Sequence, residues 1–363
     1  MPKRSAFLPG QPWWDDRGIH LNAHGAGLLE HDGKYYLFGE HKIAGKIGNS
    51  AQVGVHVYRS ADLYNWTDAG IALAVVDSEA SDIVRGCVIE RPKVIYNAKT
   101  ELFVMYFHLE MKGQGYRAAR TAVATAHTPE GPYRFERSLR PNAGHWPLNF
   151  DEAARTRTFV YEQHPTREQV VEGVFCQRDM PGGQMARDMT LYVDDDEKAY
   201  LICSAEENYT LQIHALTDDY LDFTGRYVRV LPGGHNEAPA LFKHGGTYHL
   251  LASGCTGWAP NAARTATAPH IFGPWTPRPN PCVGTNPYNG MGPELTFGGQ
   301  STYIAPMPGV KDRWIALFDV WTPENPIDGG YIWLPCDVVD GQMRIEWRDE
   351  WRIETPSTFA RRD

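Results

Sequence analysis

Glu90, Asp188 and Glu237 each stand 11 to 13 residues ahead of a short aromatic strand, and Gln300 stands 14 ahead of another. Their settings are Glu90-Arg91-Pro92-Lys93, Arg187-Asp188-Met189-Thr190, Asn236-Glu237-Ala238-Pro239 and Gly299-Gln300-Ser301-Thr302. A charged group at the start of an apolar strand is costly to bury unless it has a partner or a task. Three carboxyls converging on one pocket would push their pKa values apart, leaving one protonated and another ionised. That division suits acid–base cleavage of a glycosidic bond, in which one carboxyl protonates the leaving oxygen and a base on the opposite face activates water. A fifth equivalent place, Asn22-Ala23-His24-Gly25, carries no carboxylate.

These places are set by a repeat. Strands recur at Tyr35-Tyr36-Leu37-Phe38, Phe103-Val104-Met105-Tyr106-Phe107, Tyr200-Leu201-Ile202-Cys203, Tyr248-His249-Leu250-Leu251 and Trp314-Ile315-Ala316-Leu317-Phe318. A shorter apolar run precedes each one. His31-Asp32-Gly33-Lys34 and His244-Gly245-Gly246-Thr247 read as two-residue hairpin turns joining such pairs. Asn65-Trp66, Gly131-Pro132-Tyr133 and Gly273-Pro274-Trp275 close three of the units. Five units of about four strands predict an all-β chain built as a five-bladed propeller over residues 1–363, with a β-sandwich as the structural alternative. In a propeller the innermost strands line the axis, so the five polar clusters would meet at one cavity. A polar stretch at about 138–186 interrupts the spacing and reads as an elaborated loop.

Composition narrows the function classes. The chain has 44 acidic and 35 basic residues, a formal net charge of −9, which gives no general attraction to nucleic acid or an anionic membrane. Its 11 Trp, 18 Tyr and 14 Phe offer flat walls for a ligand such as a sugar. No apolar run approaches the roughly 18 residues of a membrane span or forms a signal peptide, so the expectation is a cytoplasmic protein unless a leader has been removed. Six scattered cysteines form no CxxC pair and read as buried hydrophobes, and the fourteen histidines show no metal-ligand spacing. Asp194-Asp195-Asp196 resembles a calcium loop superficially, but Ala199 stands where that loop needs Gly, so a polar hairpin turn is expected. No GxSxG elbow, HExxH pair, P-loop or GxGxxG run is present.

Taken together, Asn22-Ala23-His24-Gly25-Ala26-Gly27, Gly39-Glu40-His41-Lys42, Glu90-Arg91-Pro92-Lys93-Val94-Ile95-Tyr96-Asn97, Arg187-Asp188-Met189-Thr190-Leu191, Glu237-Ala238-Pro239-Ala240, Cys255-Thr256-Gly257-Trp258 and Gly299-Gln300-Ser301-Thr302 resemble glycoside hydrolase family 43. Within it they are most similar to the exo-β-1,3-galactanase branch. The resemblance implies that Glu237 is the general acid and that Asp188 tunes and orients it. The family at large opens its first blade with an Asp base, which is missing here as in that branch. Gln300 and Glu90 are then implied to face the attacking water. His24, Glu40, Tyr116, Asn208 and Thr256 are implied to contact the sugar, with Trp258 and Trp321 as stacking walls. The expected activity is inverting release of galactose from β-1,3-linked oligosaccharides, with no cofactor and no metal. Action on α-L-arabinofuranosides or β-D-galactofuranosides is the alternative within the family. A glycan-binding propeller without turnover is the alternative from another class, motivated by the missing Asp.

Overall fold

The computed structural model describes residues 3–159 and 165–353. Among them, five sheets follow one another along the chain. Blade one is β1 (His24–His31), β2 (Lys34–Glu40), β3 (Gly54–Ser60) and β4 (Thr67–Ala74); blade two is β5 (Val88–Asn97), β6 (Leu102–Glu110), β7 (Arg120–Ala126) and β8 (Arg134–Leu139). Blade three comprises β9 (Met189–Val193), β10 (Ala199–Ala205), β11 (Thr210–Leu216) and β12 (Phe223–Val230). Blade four comprises β13 (Glu237–His244), β14 (Thr247–Ser253), β15 (Arg264–Ala268) and β16 (Thr276–Arg278). The fifth has one strand more than the four expected: β17 (Cys282–Val283) pairs in parallel with β21 (Gln342–Glu346), which continues through β20 (Gly330–Val339) and β19 (Trp314–Val320) to β18 (Gln300–Pro306). This is a five-bladed propeller. The aromatic marker strands are the second strand of every blade, and the runs before them are the innermost. Asp32 and Gly33 both take positive φ in the β1–β2 turn, the geometry a two-residue hairpin needs and glycine adopts freely.

The second strands read as unbroken apolar runs because both of their faces are buried. In β10, Leu201 and Cys203 pack toward blade two, while Tyr200 and Ile202 pack toward blade four. In β6, Phe103, Met105 and Phe107 face blade one and Val104 and Tyr106 face blade three. This is strand alternation, with a neighbouring blade on each side. Burying each large apolar side chain contributes about 1.5–3 kcal/mol. The ring closes between blades five and one through Leu37, Tyr58, Trp66, Ile315, Leu317 and Trp333. Phe7 and Trp351 seal this joint by pairing their backbones and stacking their rings at 4.3 Å.

The stretch at 138–186 is more structured than a loop. Among its described residues it folds α1 (Glu152–Arg155), α2 (Arg167–Glu172) and α3 (Val174–Asp179). Thr166 and Gln169 form a reciprocal capping box at the start of α2, and Gly173, at φ 108°, ends α2 and begins α3. The Asp194–Asp196 turn is held by Lys243, 2.9 Å from Asp194 and 2.8 Å from Asp195, and by Lys198, which pairs with Asp196. No helix among the described residues is long and apolar enough to cross a membrane.

Candidate active site

Four of the five inner strands carry a local distortion near their polar first turn, while β9 pairs in regular register. In β1, β5 and β13 the pairing register slips just after His24, Glu90 and Glu237. In each case the next residue, Gly25, Arg91 or Ala238, takes a left-handed conformation at φ 60°, 55° or 52°. A bulge of this kind bends the strand and redirects the side chain beside it. In β18 the slip comes one residue later, after Ser301.

Glu90, Asp188, Glu237 and Gln300 line one cavity of about 280 Å³, together with Glu40, Tyr116, Asn208, Trp258 and Trp321. A larger hollow of about 500 Å³ lies beside the β3–β4 turn, among Arg4, Trp14, Asp16 and Lys34. We place the chemistry in the smaller one because there a carboxyl with a raised pKa stands beside ionised groups.

Glu237 is that carboxyl. Burial, reinforced by the charge of Asp188, pushes its pKa up to about 7. Its Oε1 accepts from Asn208 Nδ2 at 2.7 Å, and the Cys255 thiol lies against it. Asp188 also accepts from the backbone N–H of Ala238 at 3.2 Å, fixing the chain next to Glu237. Glu90 is the opposite case. Burial would raise its pKa, but His108 Nδ1 at 2.9 Å and the Tyr116 hydroxyl hold it ionised. His108 is itself held between Glu90 and Glu110, with Nε2 3.0 Å from Glu110 Oε1. Against the opposing effect of burial, these two carboxylates raise its pKa to about 9.

Gln300 is fixed at both ends of its amide. Its Oε1 accepts from Arg91 Nη2 at 2.6 Å and Trp321 Nε1 at 2.9 Å, and its Nε2 donates to Ser253 Oγ at 2.9 Å. Because both partners of Oε1 are obligate donors there, the amide orientation is determined, and one N–H hydrogen is left uncommitted. Arg91 Nη2 also lies 3.1 Å from Asp188, so one buried guanidinium joins the amide to the carboxylate beside Glu237.

Glu90, His108 and Asp188 have ligand-type atoms within 4.8 Å of one another. Both nitrogens of His108 are committed to carboxylates and Arg91 is paired with Asp188, so side chains already supply the positive charge a cation would bring. As it stands, the set is an ion-pair network.

Two expected sugar contacts fall outside the cavity. His24 is fully buried, its ring stacked on Tyr331 at 5.3 Å, and burial lowers its pKa to about 3, leaving it neutral. Thr256 uses its hydroxyl within its own loop, donating to the Ala259 carbonyl at 2.6 Å and accepting from Asn261 Nδ2 at 2.7 Å. That loop carries Trp258, 40% exposed, whose ring meets Trp321 edge-on at 5.6 Å. Trp321 is more than a wall, since it also donates to Gln300.

A model of glycosyl hydrolases family 43 matches residues 169–315. The solved structure of a family-43 β-1,3-galactosidase with galactodeoxynojirimycin is 51% identical with a TM-score of 0.90, covering 95% of this chain and 100% of that one. The chain belongs to glycoside hydrolase family 43. An exo-β-1,3-galactanase of Clostridium thermocellum is 31% identical with a TM-score of 0.76, covering 97% of this family-43 chain and 67% of its own. One from Phanerochaete chrysosporium, solved with β-1,3-galactotriose, is 29% identical with a TM-score of 0.75, covering 96% and 69% respectively. No curated protein matches.

Within this family-43 site, sequence reasoning did not single out Arg91, His108 or Arg187 as cavity residues. Arg91 and Arg187 sit inside motifs whose carboxylates carry the sequence signal. His108 lies directly across from Glu90 in the β5–β6 pairing, but the bulge shifts that register by one, so counting back from the turn at 97–102 misses the partner.

Proposed function

We propose that this protein is an inverting, exo-acting glycosidase that releases galactose from β-1,3-linked galacto-oligosaccharides. The observation that carries the reading is Glu237: a carboxyl with a pKa near 7 facing an ionised Glu90 in a sugar-sized, Trp-walled cavity. The 51% identity to a β-1,3-galactosidase over the whole of that chain supports the substrate class. A cavity of about 280 Å³ is at the low end for small-molecule pockets, which fits a single terminal sugar better than the interior of a polymer.

In this reading Glu237 donates its proton to the glycosidic oxygen as the bond to the anomeric carbon breaks. Asp188 keeps that proton available by its charge and holds the adjacent backbone. A water on the opposite face attacks the anomeric carbon, oriented by Gln300 and facing the negative charge of Glu90. Glu40, Tyr116 and Asn208 contact ring hydroxyls, and Trp258 stacks on the sugar beyond the scissile bond.

The deciding experiment compares turnover of β-1,3-galactobiose with that of aryl α-L-arabinofuranosides and β-D-galactofuranosides, following the anomeric configuration by NMR. Release of α-galactose from the β-linked disaccharide is expected. Activity confined to furanosides would overturn the substrate class. A product that keeps the β configuration would overturn inversion, and sugar binding without turnover of any glycoside would make the protein a lectin.

A further inference from the structure

Glu206, Glu207 and Asn208 are three consecutive non-glycine residues in the left-handed conformation, at φ 53°, 55° and 65°. Such a run is unfavourable and persists only where surrounding contacts over-determine it. The turn follows β10 and carries Asn208, the donor to Glu237.

What holds the turn lies beneath it. Glu206 is fully buried, and both of its oxygens accept from Arg229: Nε to Oε1 and Nη2 to Oε2, each at 2.7 Å. The same guanidinium donates to the carbonyls of Val171 at 2.8 Å and Val170 at 2.6 Å, in the last turn of α2. The Arg229 backbone is bracketed by the side chain of Asn149, at 2.9 Å to its N–H and 2.8 Å to its carbonyl. Glu206 also accepts from Thr210 and Gln212, and Asn208 returns its backbone carbonyl to Asn236 N–H at 2.9 Å, one residue before Glu237. A continuous chain of polar contacts therefore runs from the helical insertion to the carboxyl at the reaction centre.

We infer that the buried Glu206–Arg229 pair is a positioning device, through which the 138–186 insertion fixes the strained turn and aims the Asn208 amide at Glu237. The inference rests on the reading of Glu237 as the general acid. Neither member of the pair is expected to touch the substrate. The titratable and charged groups that face Glu237 are Asp188, Arg91 and the Cys255 thiol, while Arg187 and the Ser204 hydroxyl face the oxygen of Asn208. Glu206 and Arg229 are not among them, so a change in the titration of Glu237 in their variants is expected to pass through Asn208.

The test uses the paired variant Glu206→Met/Arg229→Met, which removes both charges without stranding either. Activity against pH is measured on β-1,3-galactobiose and on a 4-nitrophenyl galactoside, for the wild type, the pair, Asn208→Ala and the triple variant. Loss of one hydrogen bond to the Glu237 carboxylate should move the basic limb upward by roughly half to one pH unit. The disaccharide should lose about threefold to thirtyfold more activity than the aryl glycoside, whose leaving group needs little protonation. The triple variant should show no shift beyond that of Asn208→Ala alone.

An unmoved limb, equal losses on the two substrates, or a full additional shift in the Asn208→Ala background would each overturn the proposal. Should the paired variant not fold, Glu206→Gln, which keeps volume and removes the charge, decides by the same limb. Wild-type turnover of the disaccharide reports separately on the proposed activity. The limb itself can be followed on any aryl glycoside the wild type cleaves.

Discussion

The carboxylate of Glu40 occupies the space that a side chain at position 25 would need: a Cβ on Gly25 would overlap Glu40 Oε1. Gly25 lies in the first-blade stretch that has no carboxylate of its own, and Glu40 reaches the cavity from β2 instead. There it pairs with Lys42 Nζ at 2.6 Å and accepts from the Arg91 N–H at 3.0 Å.

Gly25→Ala is therefore expected to displace Glu40, compounded by strain at φ 60°. We expect at least about a tenfold fall in kcat/KM, corresponding to roughly 1.4 kcal/mol. In a Glu40→Ala background the same change should cost much less, because the group it displaces is gone. Steady-state kinetics on the two single variants and the double variant measure that non-additivity.

The pH profile follows from Glu237. A general acid must be protonated, and with a pKa of about 7 its activity should fall as pH rises through neutrality. Asp188→Asn removes a negative charge that raises this pKa, so the basic limb should move to lower pH and activity at pH 7 should drop. Glu237→Ala should cost about 10²–10⁴-fold on a disaccharide and distinctly less on an aryl glycoside. Profiles of kcat/KM against pH check all three.

Arg91→Lys tests the link between the two halves of the site. A lysine keeps the charge but cannot reach Gln300, Asp188 and the Ser301 carbonyl together as the guanidinium does, the last at 2.8 Å. Losing one charge-assisted hydrogen bond is worth about 1.5–3 kcal/mol, so kcat should fall by roughly tenfold to a hundredfold. KM for the disaccharide should change little, which separate determination of kcat and KM will show.

His108 is predicted to matter for stability as much as for charge. His108→Leu leaves Glu90 and Glu110 without their shared cation, and breaking a buried pair in this way costs about 3–5 kcal/mol. Urea unfolding measures it. The pH dependence has a definite sign. A histidine whose folded pKa is raised to about 9 contributes stability fully present below its unfolded pKa of about 6.5 and lost as pH climbs through 9. The wild type should lose stability over that window, and His108→Leu should lose much less.

The ring of blades was legible because the second strand of every blade is buried on both faces and so reads as an unbroken aromatic run. The inner carboxylates were legible because charge at the head of such a strand is anomalous. What pattern could not convey was the bulge. It lifts Glu90 out of simple register and so conceals His108, although the two lie opposite each other in the sheet. His24 and Thr256 lie outside the cavity for a related reason. Each sits in a motif whose neighbours reach the cavity, but Tyr331 and the Ala259 carbonyl claim their side chains first. The α2 helix was foreshadowed by Thr166 and Gln169, a capping signal masked by the polar composition around it.

Each blade is one uninterrupted stretch of chain, and the final joint is made where Phe7 meets Trp351. Glu40 belongs to the first blade, Glu90 to the second, and Gln300 and Trp321 come with the fifth. While the protein is being made, Glu40, Glu90, Asp188 and Glu237 therefore leave the ribosome before Gln300 and Trp321. A nascent chain holding four blades owns Glu237 and Asp188 but lacks the Gln300 and Trp321 side of the pocket. The pocket is closed as a ring only when the fifth blade is in place and Phe7 meets Trp351.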